Sequence, residues 1–166
     1  MKNQHFDIAF SYESNHQWIA RDLFTLLHDM GMSVYFSENI PNFTAGFLRR
    51  ELVKLYSSSI INVMLWSKHY QEQSKDSIIT LEKTTLWDRH IGKNQHDSLF
   101  ILLLDDIPIP DDFSQCLHHK IQEIGLLKTR DYIISQLVEC WTSRDEKGER
   151  YQHPTSAPSQ RGPTTP

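Results

Sequence analysis

Hydrophobic residues in this chain fall into short runs separated by longer stretches with helical spacing. The runs are short and rich in Ile, Val, Leu and Phe, which is typical of buried β-strands. They cover residues 6–10, 32–36, 60–66, 99–104 and, more weakly, 120–124. The run 60–66 is apolar on both faces except at Asn62, as expected for a central parallel strand.

Between these runs, apolar residues recur every three or four positions, which is the spacing of one helix face. The clearest set is Ile19, Leu23, Leu26, Leu27 and Met30, followed by Gly31 at the expected stop position. Further helices are predicted near residues 47–56, 77–87 and 133–141. Strands that alternate with helices predict a parallel sheet covered on both faces, because crossover connections lie there. We expect an α/β fold, a flavodoxin-like three-layer sandwich with a five-stranded parallel sheet.

The composition predicts one domain followed by a tail. The 166 residues fit a domain of ordinary size, and 39% of them are hydrophobic, which is enough to fill a core. Near the C-terminus the sequence changes to charged residues, Ser, Thr, Gln and Pro, which cannot offset the entropy of ordering. We expect a domain over residues 1–142 and a flexible polar tail over 143–166.

Charge and hydropathy restrict location and partners. The net charge is −4 and no basic run occurs, which disfavours a nucleic-acid surface. The two cysteines and nine histidines lack metal-ligand spacing, so no metal site is expected. No signal segment is visible at the N-terminus, and no apolar run reaches the roughly 18 residues of a membrane span. We expect a reduced, cytoplasmic protein with no membrane partner.

Glu82 interrupts the apolar face of the predicted helix 77–87. Ile78 and Leu86 lie one turn to either side of it, and Ile79 lies three residues before it. A carboxylate on such a face must find partners, shift its pKa or face a cleft. From spacing alone, Glu82 could equally lie at the edge of the apolar face and extend to water.

Open parallel sheets bind ligands beyond the carboxyl ends of their strands. That rule selects the loops at residues 11–13, 37–46, 67–70 and 105–106. The loop after the first strand contains no glycine, which excludes Rossmann and P-loop nucleotide sites. A phospho-accepting receiver domain is disfavoured because the third strand ends in Trp66 and Ser67 rather than in an aspartate.

Five segments at these strand ends match motifs of a known family. They are 6–12, the first strand with its Ser-Tyr end; 31–36, the second strand; 44–48, the end of a long loop; 66–70, with a serine and a tyrosine; and 99–110, a strand with an acidic, proline-containing turn. In this order they resemble the Toll/interleukin-1 receptor (TIR) domains, particularly the bacterial stand-alone type. The resemblance covers about residues 5–141.

The resemblance implies an activity. Many bacterial TIR domains cleave NAD or cyclise its ADP-ribose with a glutamate on the third helix, so NAD+ would be the substrate and no cofactor is expected. Glu82 matches that glutamate by position, and its spacing to Asp105 agrees with the family pattern. The family's Trp-Cys pair before the glutamate is missing, and residues 71–77 include an insertion. Glu72 is the competing candidate, but it lies too near Tyr70 and lacks apolar neighbours.

This chemistry needs only one carboxylate. Cleavage passes through a cation-like ribose and releases neutral nicotinamide, whereas ordinary glycosidases need a second carboxyl group to protonate the leaving group. Glu82 would hold the ribose hydroxyls and stabilise the developing positive charge. A wall formed by Ile78, Ile79 and Leu86 would strengthen this effect by excluding water.

Four other residues are candidates for binding NAD+. Tyr12 and Phe47 could stack on the nicotinamide or adenine ring, and Ser11 and Ser67 could bind hydroxyl or phosphate oxygens. Each has a structural alternative, because an aromatic residue after a buried strand is usually core and a loop serine is usually a cap.

The sequence is compatible with two functions. One is an NAD+ nucleosidase that forms ADP-ribose or a cyclic isomer in a bacterial antiviral or cell-suicide response. The other is a non-catalytic interaction module that signals by self-association or by mimicry of host adaptors through the loop 37–46. For both functions, the resemblance implies self-association through TIR–TIR contacts.

Overall fold

A computed structural model describes residues 5–36, 45–73 and 77–147, without the side chains of 45–47. Strands and helices alternate along it. The strands are β1 (Ile8–Ser11), β2 (Val34–Tyr35), β3 (Ile61–Trp66), β4 (Leu99–Leu103) and β5 (Leu117–Lys120). The helices are α1 (Gln17–His28), α2 (Ala45–Ser58), α3 (Lys68–Gln71), α4 (Ile78–Trp87) and α5 (Ile121–Glu146).

The five strands form one parallel sheet in the order β2-β1-β3-β4-β5. This confirms the predicted α/β, flavodoxin-like fold. The strand β3 is central, as its two-sided apolar pattern indicates. The chain winds outward from β1 to β2 and then returns to β3 on the other side. The carboxyl ends of β1 and β3 therefore flank the switch in winding direction, where such sheets form a ligand crevice.

Side chains alternate between the two faces of the sheet, and each face carries its own apolar core. Ile8 and Phe10 of β1 pack in the core that lies against α1 and α5. Ala9, between them, packs in the core against α2 and α4. The second core also contains Tyr56 and Tyr70. Ser11 follows the same alternation as Ala9, so the fold directs its side chain toward α2 and α4.

The predicted fifth strand at 120–124 is wrong. β5 ends at Lys120, and Ile121 begins α5, which has a non-helical kink at Gly125 (φ +71°). β5 carries exposed residues at its start, because it is an edge strand, and this removes the apolar signal. Ile121 and Ile124 pack onto the core from the first turn of α5.

The helix α5 continues to Glu146, past the predicted domain end at residue 142. It is 26 residues long. Even so, across 5–36, 45–73 and 77–147 no helix is both long and apolar enough to cross a membrane.

Candidate functional site

Glu82 lies on the buried side of α4. Ser77 caps this helix by accepting the Thr80 N–H at 3.1 Å, so the helix begins directly before the apolar turn. Glu82 is only 4% exposed, and Leu86, one turn later, is fully buried. Ile78 is 49% exposed, so it does not form part of the water-excluding wall expected from the sequence. It occupies the first turn of α4, where the helix still faces solvent.

Ser11 holds the Glu82 carboxylate directly. Its hydroxyl, fully buried at the end of β1, donates to Glu82 Oε2 at 2.6 Å, a distance typical of a charge-assisted bond. Its Oγ also lies 2.8 Å from the Tyr70 hydroxyl. Because an ionised carboxylate only accepts, the single Ser11 proton goes to Glu82, and Tyr70 donates to Ser11. The three side chains form a directed relay that stabilises the ionised acid.

Two further tyrosines surround the carboxylate. The Tyr56 hydroxyl donates its single proton to the Phe10 carbonyl oxygen at 2.6 Å and also lies close to Glu82. The Tyr35 ring meets the Tyr56 ring edge-on, with centroids 6.1 Å apart. Burial, followed by the negative charge of Glu82, raises the pKa of Tyr35, Tyr56 and Tyr70. All three phenols therefore stay protonated at neutral pH and can act as donors.

The carboxyl group of Glu82 titrates near neutrality. Burial raises its pKa from 4.5 to about 7, against the lowering effect of the hydrogen bond from Ser11 and of the nearby Tyr56 hydroxyl. The charged and the neutral form of the carboxyl group are therefore both accessible near neutral pH. A cation beside the carboxylate would favour ionisation of the group.

Ser67 acts as a helix cap near this group. Its Oγ accepts the Tyr70 N–H at 3.1 Å, which begins α3 and positions the tyrosine that donates to Ser11. The adjacent Lys68 N–H donates to Asp105 at 2.8 Å, so the loops after β3 and β4 meet. Ser67 therefore supports the site through Tyr70, and direct binding of a ligand by Ser67 stays a prediction.

Tyr12 and Phe47 are the two predicted stacking residues. Tyr12 is buried and stacks on Phe36, with ring centroids 5.8 Å apart, in the core against α1 and α5. This is the position of a core residue, on the sheet face opposite Glu82. Phe47 belongs to α2, but its side chain lies outside the described residues. Stacking on a base by either residue stays a prediction.

Sequence reasoning missed the role of the tyrosines. Tyr70 is part of a family motif, but its bond to Ser11 joins residues 59 positions apart in sequence. Tyr56 sits on the apolar face of α2, where it reads as core. Tyr35 pairs in register with Ala9, so strand alternation could have shown that it shares a sheet face with Ser11.

Two surface cavities lie away from this group. One, of about 430 Å³, is at the carboxyl ends of β4 and β5, beside Leu103, Ile107 and Lys120. The other, of about 530 Å³, lies between β5 and α5, beside Cys116 and Gln136. Neither is lined by Glu82 or Ser11. In this conformation the carboxylate is buried and does not line either cavity.

Comparison with known proteins identifies no family. No protein-family model matches the chain, and no curated protein matches it. The resemblance to TIR domains therefore stays a prediction from the five sequence segments.

Proposed function

We propose that this chain is a TIR-type NAD+ nucleosidase in which Glu82 is the catalytic residue. The observation that carries the proposal is the buried Glu82–Ser11 pair at the carboxyl end of β1, with a carboxyl pKa of about 7. The pair lies at the switch in winding direction, where parallel sheets bind ligands. A carboxylate with a strongly shifted pKa at such a position is typical of an active site.

The surroundings of Glu82 suit a reaction that develops positive charge. The nicotinamide–ribose bond breaks to leave a cation-like ribose and neutral nicotinamide, so no acid has to protonate the leaving group. An ionised carboxylate in a water-poor setting attracts that cation more strongly than it would in water. Ser11 fixes the carboxylate in place, which removes the need to reorganise it during the reaction.

The product follows from what attacks the ribose. Water gives ADP-ribose, and an atom of the bound nucleotide gives a cyclic isomer. A role in bacterial antiviral defence or cell suicide is part of the proposal, as is a cytoplasmic location. The resemblance to TIR domains also motivates self-association as a requirement for activity, so the assay must use concentrated protein.

The test is release of nicotinamide from NAD+ by concentrated wild type and Glu82→Gln, with the products separated by chromatography. Loss of the carboxylate charge should lower kcat by about a hundredfold or more, because a preorganised charge is removed. In the wild type, kcat/KM should rise with pH through about 7, since only the ionised form stabilises the cation.

Glu72→Gln is the matched control, because Glu72 is an exposed glutamate at the end of α3 and the competing family match. It should turn over NAD+ like the wild type. Unchanged turnover in Glu82→Gln, or loss of turnover in Glu72→Gln alone, would contradict the assignment.

A non-catalytic interaction module is the second candidate. Glu82 is only 4% exposed and lines neither of the two cavities. This is the position expected of a carboxyl group with a purely structural role, and it favours the second function. This function predicts that concentrated wild type self-associates in sedimentation experiments but releases no nicotinamide. Nicotinamide release that depends on Glu82 would exclude it.

A further inference from the structure

Two buried hydrogen-bond donors on the sheet face that carries Ser11 have no partner among the described residues. Among the described residues, the Tyr35 hydroxyl and the Trp66 indole Nε1 are both enclosed, and neither makes a hydrogen bond. Tyr35 is 9% exposed and Trp66 is 2% exposed. Leaving such a donor unpaired is unfavourable, and native proteins keep few of them. Two of them in one core therefore call for an explanation.

Both donors belong to the sheet face that carries Ser11. Tyr35 is the register partner of Ala9, two residues before Ser11 on β1. Met64 is the register partner of Ser11, and Trp66 is two residues beyond it on β3. Side chains two residues apart on a strand point to the same face. The unpaired donors thus lie on the two strands that flank β1, in the same core as Tyr56 and Tyr70.

The electrostatic contacts also join Tyr35 to the carboxylate. The charge of Glu82 contributes to the raised pKa of Tyr35, and Tyr35 packs edge-on against Tyr56. The ring of Trp66 lies against Tyr70, with centroids 5.6 Å apart. The carboxyl group, held by Ser11, and the two unused donors are therefore on the same side of the sheet. A vicinal diol complements this arrangement, because each hydroxyl can donate to a carboxylate and accept from a neighbouring donor.

We propose that Tyr35 and Trp66 bind the ribose diol of the substrate beside Glu82 by donating hydrogen bonds to its oxygens. This assignment rests on the proposed function and gives it two further residues. Their unpaired state in the free protein is relieved when the diol oxygens enter. Binding energy then comes from groups that were unsatisfied before, and the site discriminates against ligands that lack the hydroxyls.

Tyr35→Phe tests this assignment cleanly. The substitution keeps the ring and deletes a hydroxyl that has no partner, so the melting temperature of the free protein should not fall. KM for NAD+ should rise about tenfold, as expected for one hydrogen bond to the ligand, with little change in kcat. The rise in melting temperature caused by ADP-ribose should shrink in parallel.

Tyr132→Phe is the matched control. Tyr132 is on α5 and stacks on His119, with ring centroids 4.6 Å apart, away from the face that carries Ser11. Removal of the Tyr132 hydroxyl should leave KM for NAD+ unchanged.

Each other outcome has a definite meaning. If Glu82→Gln is inactive while Tyr35→Phe has the KM of the wild type, this inference fails and the proposed function stands. A lower melting temperature of Tyr35→Phe with an unchanged KM indicates that a buried water pairs with the hydroxyl, and also overturns the inference. If the wild type neither turns over NAD+ nor is stabilised by ADP-ribose, both proposals fail.

Discussion

The two ends of the sheet each bury a polar cluster beneath α2 and α4, and the clusters differ in how completely they are hydrogen-bonded. At the amino ends, the group is built on Asn62, Arg89 and His90. At the carboxyl ends, it is built on Ser11 and Glu82. In the amino-end cluster each of these side chains has a hydrogen-bond partner. The carboxyl-end cluster shares its side of the sheet with buried donors that have none among the described residues.

The amino-end cluster is a closed network. Asn62 accepts from Ser59 at 2.7 Å and donates to the Tyr56 carbonyl oxygen at 2.9 Å. His90 Nδ1 lies 2.7 Å from the Gln95 carbonyl oxygen and so carries the proton, which leaves Nε2 to accept from Asn62 at 2.8 Å. Burial lowers the pKa of His90 to about 3, so it stays neutral in this role.

Arg89 is the positively charged member of these three side chains. It donates to the carbonyl oxygens of Tyr56 and Ile60 at 2.8 and 3.2 Å and to the Gln95 side chain at 3.0 Å. Arg89 and His90 belong to a π-helical turn, Asp88–Gly92, that directly continues α4. The satisfied cluster therefore anchors the helix that carries Glu82. A fully hydrogen-bonded network makes the structure rigid, whereas unpaired donors can form hydrogen bonds to a ligand.

The largest effect on stability is expected from Arg89→Met. The substitution removes three charge-assisted hydrogen bonds: the side-chain donors to the Ile60 carbonyl oxygen and to Gln95, and one of the two donors to the Tyr56 carbonyl oxygen. The free energy of unfolding should therefore fall by about 3–4 kcal/mol. Chemical denaturation at pH 8 measures the loss. Because α4 loses its anchor, turnover of NAD+ should fall together with the stability.

Arg130→Met is the control for removing a cation. Arg130 pairs with the neighbouring Asp131, which is 60% exposed, so the change should stay within about 0.5 kcal/mol. Equal losses in the two variants would show that the amino-end network has no special role.

At the other end of the sheet, Glu82→Gln is expected to raise the free energy of unfolding instead of lowering it. The folded pKa of Glu82, about 7, is above its ordinary value of 4.5, so the folded state binds the proton more tightly. Stability from this group is complete below pH 4.5 and is lost as the pH rises through 7. At pH 8 the neutral Gln should therefore stabilise the protein by about 3 kcal/mol.

The same comparison at pH 5 should show a gain below about 1 kcal/mol, since Glu82 is then mostly protonated. Denaturation curves at both pH values, with Glu72→Gln as the exposed control, measure this difference. A gain that does not depend on pH would mean that the carboxyl group is not titrating in this range. A stabilised but inactive variant is the pattern expected when a protein gives up stability for function.

The fold was predictable because it depends on periodicity, whereas the site depends on contacts between distant segments. The runs 60–66 and 99–104 were apolar enough to identify β3 and β4. β5 was misplaced because an exposed edge strand carries little apolar signal. Glu82 was detectable as a charge on an apolar face, but its Ser11 partner lies 71 residues away in sequence. The aromatic donors on its side of the sheet look like core residues until the strand registers are known.

The smallest predicted change in stability comes from removing one buried serine hydroxyl, and each end of the sheet provides such a serine. Ser11→Ala removes a hydrogen bond to an ionised group, so it should cost about 2 kcal/mol at pH 8 and about 1 kcal/mol at pH 5, where Glu82 is neutral. Because the Ser11 bond lowers the pKa of Glu82, its loss should also move the rise of kcat/KM to higher pH.

Ser59→Ala is the counterpart at the amino ends. Ser59 is equally buried and donates to Asn62, a neutral group, at 2.7 Å. Its loss should cost about 1 kcal/mol at both pH values and leave the pH profile of kcat/KM in place. Denaturation curves and pH–rate profiles of the two variants separate a serine that serves a titrating acid from one that serves a fixed network. Identical pH dependence in both would remove the distinction between the two ends of the sheet.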